Sequence, residues 1–396
     1  MKSEPTKLNI VFAIGSYLPR THTWVYNQLR FFKHVPVLIL ASNLNPGRFA
    51  FPLESHELFS FPDLKTAESS GFMTRVFRRI LRLALIDSRF DLLVFTWKAK
   101  KSKSSLIHAH FAHIGWKFIP VAGMLKIPLV VSFYGYDYNF LPNLQPKWKK
   151  RYRELAERGS LFLTEGEYGG KELIKKGFPP DRVKVHHLGV DIDSIPFKVR
   201  NLSQGEVLRL IQVASFVEKK GHRTLIEAMK LLKNEGVIDR VSLTLIGDGP
   251  LKQEMVNLTD QYQLNKHITF IDHIPYESLH KELLKYHIFI HPSITGPKGD
   301  CEGGAPVVLL DAQATGMPVV STYHCDIPEE VINGETGILV AEGDSQNLAH
   351  AILRFLDEPK LIIEYGAAGR NHVEKNYSAT TQTEKLTAIY AEFVRS

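Results

Sequence analysis

The sequence predicts an α/β protein of two doubly wound, Rossmann-like domains that face each other across a central cleft. Three observations carry that prediction. Short, near-continuous apolar runs alternate with helix-length segments, the pattern of parallel sheets covered on both faces. The alternation restarts after residue 205, so the pattern occurs twice. The length, 396 residues, exceeds one ordinary core at about 150 residues per domain.

In chain order, strands are expected at 8–14, 35–41, 105–111, 128–133, 161–165 and 183–190. They recur at 207–215, 241–247, 268–272, 288–292, 318–322 and 337–340. Residues 1–190 make the first domain and 206–376 the second. Between them, 191–205 is polar and irregular, with Pro196, Asn201, Ser203 and Gly205, and reads as the interdomain linker. Ligands of such sheets bind beyond the carboxyl ends of the strands, so the loops that follow strands should hold the chemistry.

Composition narrows the classes. A hydrophobic share of 44% and a charged share of 23% exclude disordered and collagen-like chains. The two cysteines, Cys301 and Cys325, cannot build a disulfide framework, and no CxxC pair offers a zinc site. No apolar run approaches the ~18 residues of a spanning helix, and Met1-Lys2-Ser3-Glu4-Pro5 lacks the apolar core of a signal peptide. A cytoplasmic protein, soluble or peripherally attached, is expected. The net charge of +7 is unevenly spread: residues 1–190 hold 29 Lys and Arg against 14 Asp and Glu, a balance of +15, which leaves −8 for the remainder. The first half is therefore expected to meet an acidic partner or an anionic surface.

The most informative stretch runs from Phe289 to Val340. A strand ends at His291-Pro292-Ser293, and a Gly- and Pro-rich loop carries Asp300 and Glu302. Gly303-Gly304-Ala305-Pro306 then opens a helix expected over 307–315, which carries Asp311. Free amides and the dipole at a helix start suit a phosphate, and paired glycines let a diphosphate approach the backbone without Cβ interference. A carboxylate before such a helix can bond sugar hydroxyls, and one in its first turns can clamp a ribose diol. The bland alternative is an ordinary cap with Glu302 exposed.

Together with VEKKGHRTLIEA (217–228), LIGDGPL (245–251), IHAHFA (107–112) and HLGVD (187–191), this block resembles the retaining glycosyltransferases of family 4, which have the GT-B fold. The likeness covers nearly the whole chain and looks closest to the bacterial branch that builds colanic acid and related exopolysaccharides. It implies that Glu302 contacts the donor sugar and Asp311 the nucleotide ribose. Eight residues separate them, one more than is usual in the family, and Asp311 replaces a glutamate. The resemblance also implies that Lys220 neutralises the leaving diphosphate, whose charge grows as the glycosidic bond breaks. Ser215 stands where the family has an arginine. Either Lys219 or another side chain substitutes, or Ser215 bonds the phosphate without charge. The turn Gly247-Asp248-Gly249-Pro250 is read as structural. Residues 377–396 are expected to cross back to the first domain.

In the first domain, Gly15 opens the loop after the first strand and could admit a ligand close to the backbone. His108, His110 and His113 form an HxHxxH cluster. No acidic or cysteine ligand stands beside it in sequence, and the resemblance implies a metal-independent enzyme. His110 is thus assigned to the reaction cleft, beside Glu302 and Lys220 as catalytic residues, and His108 to the core. Tyr134 replaces a family histidine associated with the donor sugar, and can act only by hydrogen bonding. Asp137 either orients an acceptor hydroxyl or caps a turn. Basic residues gather at 74–82, 98–103 and 147–153. In the first run, Val76, Phe77, Ile80 and Leu81 would make an apolar strip bordered by Arg75, Arg78, Arg79 and Arg82, as in a helix lying on an anionic membrane. A solvated helix packed on its own domain is the alternative, and no nucleic-acid motif accompanies the charge.

The expected function is transfer of a sugar from a nucleotide diphosphate sugar to a saccharide hydroxyl, lipid-linked by expectation, with no metal and no other cofactor. Rival readings are a sugar phosphorylase or epimerase of the same fold, and a non-catalytic sugar-binding protein. A nicotinamide dehydrogenase is disfavoured because no GxGxxG follows an opening strand.

Overall fold

The structure, a computed structural model, describes residues 8–17, 23–32, 35–44, 56–60 and 89–395. The basic run at 74–82 lies outside these residues.

The first sheet comprises β1 Ile10–Tyr17, β2 Val37–Leu44, β3 Glu57–Ser60, β4 Leu106–His110, β5 Leu129–Ser132, β6 Leu161–Thr164 and β7 Val183–Val185. Its order is β3-β2-β1-β4-β5-β6-β7, with every pair parallel. The second comprises β8 Leu208–Val213, β9 Val241–Ile246, β10 Ile268–Ile271, β11 Ile288–His291, β12 Val319–Thr322 and β13 Gly337–Val340. It runs β10-β9-β8-β11-β12-β13, again all parallel. Among the described residues, strand β3 is the one sequence reading missed. Four residues with an acidic first position, paired only to β2, leave no apolar run to detect.

Both strand orders reverse direction once, between β1 and β4 and between β8 and β11. The carboxyl ends of those four strands mark where such sheets hold ligands. The near-continuous apolar character of the strands follows from burial on both faces. Val11 and Ala13 of β1 pack with Phe118 and Leu173 on one face, while Ile10 and Phe12 pack on the other with Leu386 and Tyr390.

Those last two residues belong to the helix Ala379–Arg395, which returns from the second domain to the first. Tyr390 Oη lies 2.6 Å from His108 Nδ1, and His186 Nε2 lies 2.9 Å from Gln382 O. The segment 191–205 is not a loose tether. Ile192 and Ile195 pack with Leu310, Val373 and Tyr377. Arg200 is buried, and its guanidinium donates to the carbonyls of Tyr286, Lys198, Thr315 and Leu283 and to Thr315 Oγ1.

Candidate active site

The cleft between the domains encloses about 490 Å³ and is lined from both sides, a volume ordinary for a ligand site. A larger hollow of about 850 Å³ lies on the outside of the first domain, between the helices Arg89–Lys101, Ala112–Leu125 and Lys147–Arg158. It is remote from the carboxyl ends of both sheets, so the chemistry belongs to the cleft.

On the second domain's side, the chain leaves β8 through Ala214 and Ser215, both in the cleft wall, into a single helical turn, Glu218–Lys220. Gly221 ends that turn at φ +65, and a Cβ there would sit 1.8 Å from the Pro292 carbonyl oxygen. Only glycine lets the turn press against the end of β11. That contact aims Lys220 at Glu302: its Nζ lies 2.8 Å from each carboxylate oxygen. Ser293 Oγ donates to Glu302 Oε1 at 2.9 Å, and His291 Nε2 stands 3.6 Å from the same oxygen. Burial alone would raise the Glu302 carboxyl, but Lys220 and His291 outweigh it and hold it well below its ordinary value. Glu302 is therefore ionised, and not the exposed cap residue of the bland alternative.

The main chain around Glu302 is fixed as well. Its N–H donates to His324 Nε2 at 3.1 Å, while His324 Nδ1 lies 2.7 Å from Glu342 Oε1. Because Nε2 accepts, the Nδ1 that faces Glu342 is the donor, and the ring is oriented between the two groups. Lys219 also lines the cleft, with Nζ 3.0 Å from Asp300 Oδ1 and 3.1 Å from the Cys301 carbonyl. Burial opposes its charge, yet Glu302 and Asp300 prevail and raise its pKa. A second fixed cation thus stands beside Ser215, where the sequence lacks an arginine.

At the far end of the cleft, the helix Val308–Ala314 carries Asp311. Its Oδ1 accepts from Tyr276 Oη at 3.1 Å and from His280 Nε2 at 2.8 Å. Oδ2 has no protein partner among the described residues. Sequence reading missed Tyr276 and His280. Their spacing of four on the helix Tyr276–Leu283 was the available signal, since it sets both on one face.

Gly303 and Gly304 do not do what their sequence predicts. Neither lines the cleft, and the space a side chain would take at each is filled by the first domain. A Cβ on Gly303 would lie 2.0 Å from Gly135 Cα, and one on Gly304 would lie 2.1 Å from Glu165 Oε2. The glycines permit close domain contact, and the wall that remains open is Ala305, Pro306, Val307 and Val308.

The first domain's wall is aromatic: Trp24, Phe111, Tyr134 and Tyr136, with Gly135 and Glu165. Phe111 adopts φ +74 and ψ 144 at the end of β4. Such backbone strain in a non-glycine residue costs of order 1–3 kcal/mol and gathers at functional sites. Tyr134 is buried with its Oη 2.7 Å from His110 Nδ1. His110 is itself fully buried, between Phe12, His108 and Tyr134, and does not line the cleft. The expected catalytic placement of His110 is corrected accordingly: it backs Tyr134 from the core. His108 has Ser132 Oγ and Tyr390 Oη on its two ring nitrogens, so neither is free for a metal. Among the described residues no three His, Cys, Asp or Glu are grouped to hold a metal ion.

Asp137 likewise stays out of the cleft. It is buried in the π-helical turn Tyr136–Phe140 and accepts from the Tyr134 N–H at 3.1 Å, so of its two expected roles the structure takes the turn cap. Gly15 lies beneath Ile114 and His113 and is not part of the cleft wall. Glu165, which sequence reading passed over, closes β6 as a charged residue at the carboxyl end of an apolar strand, and that position was its signal.

The cleft is closed by contacts between domains. The helix Glu167–Lys175 of the first domain receives its caps from the second: Tyr168 N–H donates to Asp326 Oδ1 at 2.6 Å and Glu167 N–H to Glu329 Oε1 at 2.8 Å.

Comparison with known proteins agrees with this architecture. A family model described as Glycosyltransferase Family 4 matches residues 54–194, and one described as Glycosyl transferases group 1 matches 194–372. The chain is 34% identical over 275 residues to the putative colanic acid biosynthesis glycosyltransferase WcaL of Salmonella typhimurium, a match covering 68% of this chain and 66% of that protein. It is 32% identical over 292 residues to WcaL of Escherichia coli, covering 72% and 70%. The matched region thus spans about two thirds of these relatives. Among solved structures, HepE of Anabaena in complex with UDP superimposes with a TM-score of 0.75 at 15% identity, over 97% of this chain and 100% of that one. At that identity the likeness speaks for the fold alone.

Proposed function

Because this chain belongs to glycosyltransferase family 4 and has the GT-B fold, we propose that its cleft moves a sugar from a nucleotide diphosphate sugar to a saccharide hydroxyl, with retention at the anomeric carbon. The relatives named for colanic acid synthesis support cell-surface polysaccharide as the setting. One observation carries the reading: an ionised Glu302 and two lysines, Lys219 and Lys220, converge on one wall, with Asp311 at the far end offering an unused carboxylate oxygen.

In this reading Asp311 Oδ2 accepts from a ribose hydroxyl, and the diphosphate lies along Ser215, Lys220 and the backbone at 305–307. Glu302 bonds a hydroxyl of the donor sugar. As the bond from the anomeric carbon to the diphosphate oxygen breaks, the electron pair leaves with the diphosphate, and the fixed lysine charge stabilises it. The acceptor oxygen bonds to the same face of that carbon, and its proton passes to a phosphate oxygen. The reading needs no metal, since the lysines supply the positive charge.

The first test is thermal stabilisation by UDP, GDP, ADP and CMP. A ligand at about 100 times its Kd adds about 2.7 kcal/mol, and selective stabilisation by one diphosphate is expected. Silence across the panel, together with Lys220→Ala and Glu302→Ala transferring sugar at the parental rate, would sink the reading.

A lipid-linked acceptor would bring the first domain to the cytoplasmic membrane surface. No helix among the described residues is long and apolar enough to cross a membrane. The helix Arg89–Lys101 exposes Leu93 and Trp97 beside Lys100 and Lys101, a composition suited to an anionic lipid surface. Trp97→Ala with Lys100→Gln and Lys101→Gln should reduce sedimentation with anionic vesicles; unchanged sedimentation would return that surface to ordinary solvent exposure.

A further inference from the structure

We infer that Glu165 is the acceptor-binding carboxylate of the cleft, exchanging hydrogen bonds with the hydroxyls of a neutral sugar ring that lies against Trp24, Phe111 and Tyr136. This inference rests on the transferase reading and names how its acceptor side works.

Among the described residues, Glu165 is the only carboxylate the first domain contributes to the cleft wall. Among the described residues its side chain takes no hydrogen bond and pairs with no cation, although its backbone carbonyl is bonded by His187 Nδ1 at 2.8 Å. Every other carboxylate of the cleft is engaged: Glu302 by Lys220 and Ser293, Asp311 by Tyr276 and His280. A half-buried carboxylate without a partner is costly, and such a residue persists where a ligand supplies what the protein withholds.

Its place is fixed from both sides. It follows the buried strand β6, its carbonyl is held by His187, and its carboxylate stands against Gly304. It therefore sits beside the loop that carries Glu302, opposite the donor's wall. Burial, then Asp326, Glu302 and Asp137, push its carboxyl well above the ordinary range. Near neutrality the group thus offers a donor as well as an acceptor. The rings of Trp24, Phe111 and Tyr136 present flat apolar surface next to it, which suits the C–H face of a pyranose. A uronate placed here would bring its charge against the ionised Glu302, so an uncharged ring is the one that fits.

The test is ligand-observed saturation-transfer NMR with methyl pyranosides of glucose, galactose and mannose and with methyl glucuronoside, in the presence of UDP, GDP or ADP. At least one neutral pyranoside is expected to bind the parent protein, and the glucuronoside to give no signal. Glu165→Ala should weaken the neutral pyranoside at least tenfold, whereas Glu165→Gln, which keeps a donor and an acceptor, should stay within about threefold of the parent. In both variants the thermal shift given by the nucleoside diphosphate should be unchanged. Absence of pyranoside binding to the parent, parental binding by Glu165→Ala, or loss of the nucleotide shift in both variants would each overturn the inference. Failure of every nucleoside diphosphate to stabilise the parent protein is a different result, and it tells against the transferase reading itself.

Discussion

On the second domain's side of the cleft, each charged group lining it already has a protein partner: Lys220 has Glu302, Lys219 has Asp300, and Asp311 has His280 and Tyr276. On the first domain's side, four aromatic rings form the wall, and Glu165, its one carboxyl group among the described residues, has no partner there. The first arrangement is rigid and electrostatically prepared, as an anion with a growing charge requires. The second offers shape, flat apolar area and one polar handle, as a ring with hydroxyls on its rim requires. One cleft thus divides its labour by domain, charge on one wall and shape on the other.

Breaking the charged wall should have the largest effect. Lys220→Ala is expected to lower turnover by about 10²–10³. It also removes the cation that depresses Glu302. In the parent, the Glu302 contribution to stability is present above its ordinary value of 4.5 and is lost as pH falls. In the variant His291 and Lys219 oppose burial with one cation fewer, so that pH-dependent contribution should shrink. Thermal melts from pH 4 to 8 would show whether the acid-side loss of stability is smaller than in the parent.

The joint between the walls comes next. A Cβ at Gly135 would lie 1.9 Å from the Glu302 carbonyl oxygen, so Gly135→Val should hold the domains apart and cost about 10² in turnover. Nucleotide stabilisation should survive, because its residues belong to one domain. Loss of the nucleotide shift would mean that the charged wall forms only on closure.

Effects on the aromatic wall should be smaller. Tyr134→Phe removes the partner 2.7 Å from His110 Nδ1 and should cost about 1–3 kcal/mol in a denaturant melt, with donor affinity unchanged. At Asp137 the effect is expected in the pH dependence of stability and not in turnover. Burial, against N–H donation from Tyr134 and Ala112, lifts its carboxyl from 3.8 to about 7. Its folded pKa being the higher, stability should decline as pH rises from about 4 to about 7. Asp137→Asn should flatten that decline; an unchanged pH profile would mean the group is solvated.

Much of the second domain's wall was readable because its chemistry lies on contiguous stretches. Glu302 and Asp311 stand in one Gly- and Pro-rich block, and Lys220 follows a strand. The first domain was harder. His110 reads as a cleft residue because β4 ends there, but Tyr134 from the next strand covers it, and which side chain lies in front is decided by packing. The glycines at 303 and 304 read as room for a diphosphate, yet the group packed against them is the backbone and Glu165 of the other domain, more than 130 residues away in sequence. Tyr276 and His280 became meaningful only once a third element, the helix of Asp311, was set against them.

The return of the last helix has a consequence for recombination. The chain passes between domains twice, at neighbouring points: Val190 N–H donates to the Tyr377 carbonyl and Ala379 N–H to the Val190 carbonyl, each at 2.9 Å. The first domain is therefore discontinuous in sequence. A chimera joined only near residue 190 would inherit a foreign final helix, and Tyr390 and Leu386 of the wrong parent would press into its core beside Ile10, Phe12 and His108. Grafting a new first domain onto this second domain requires two seams, one on each side of the same crossing.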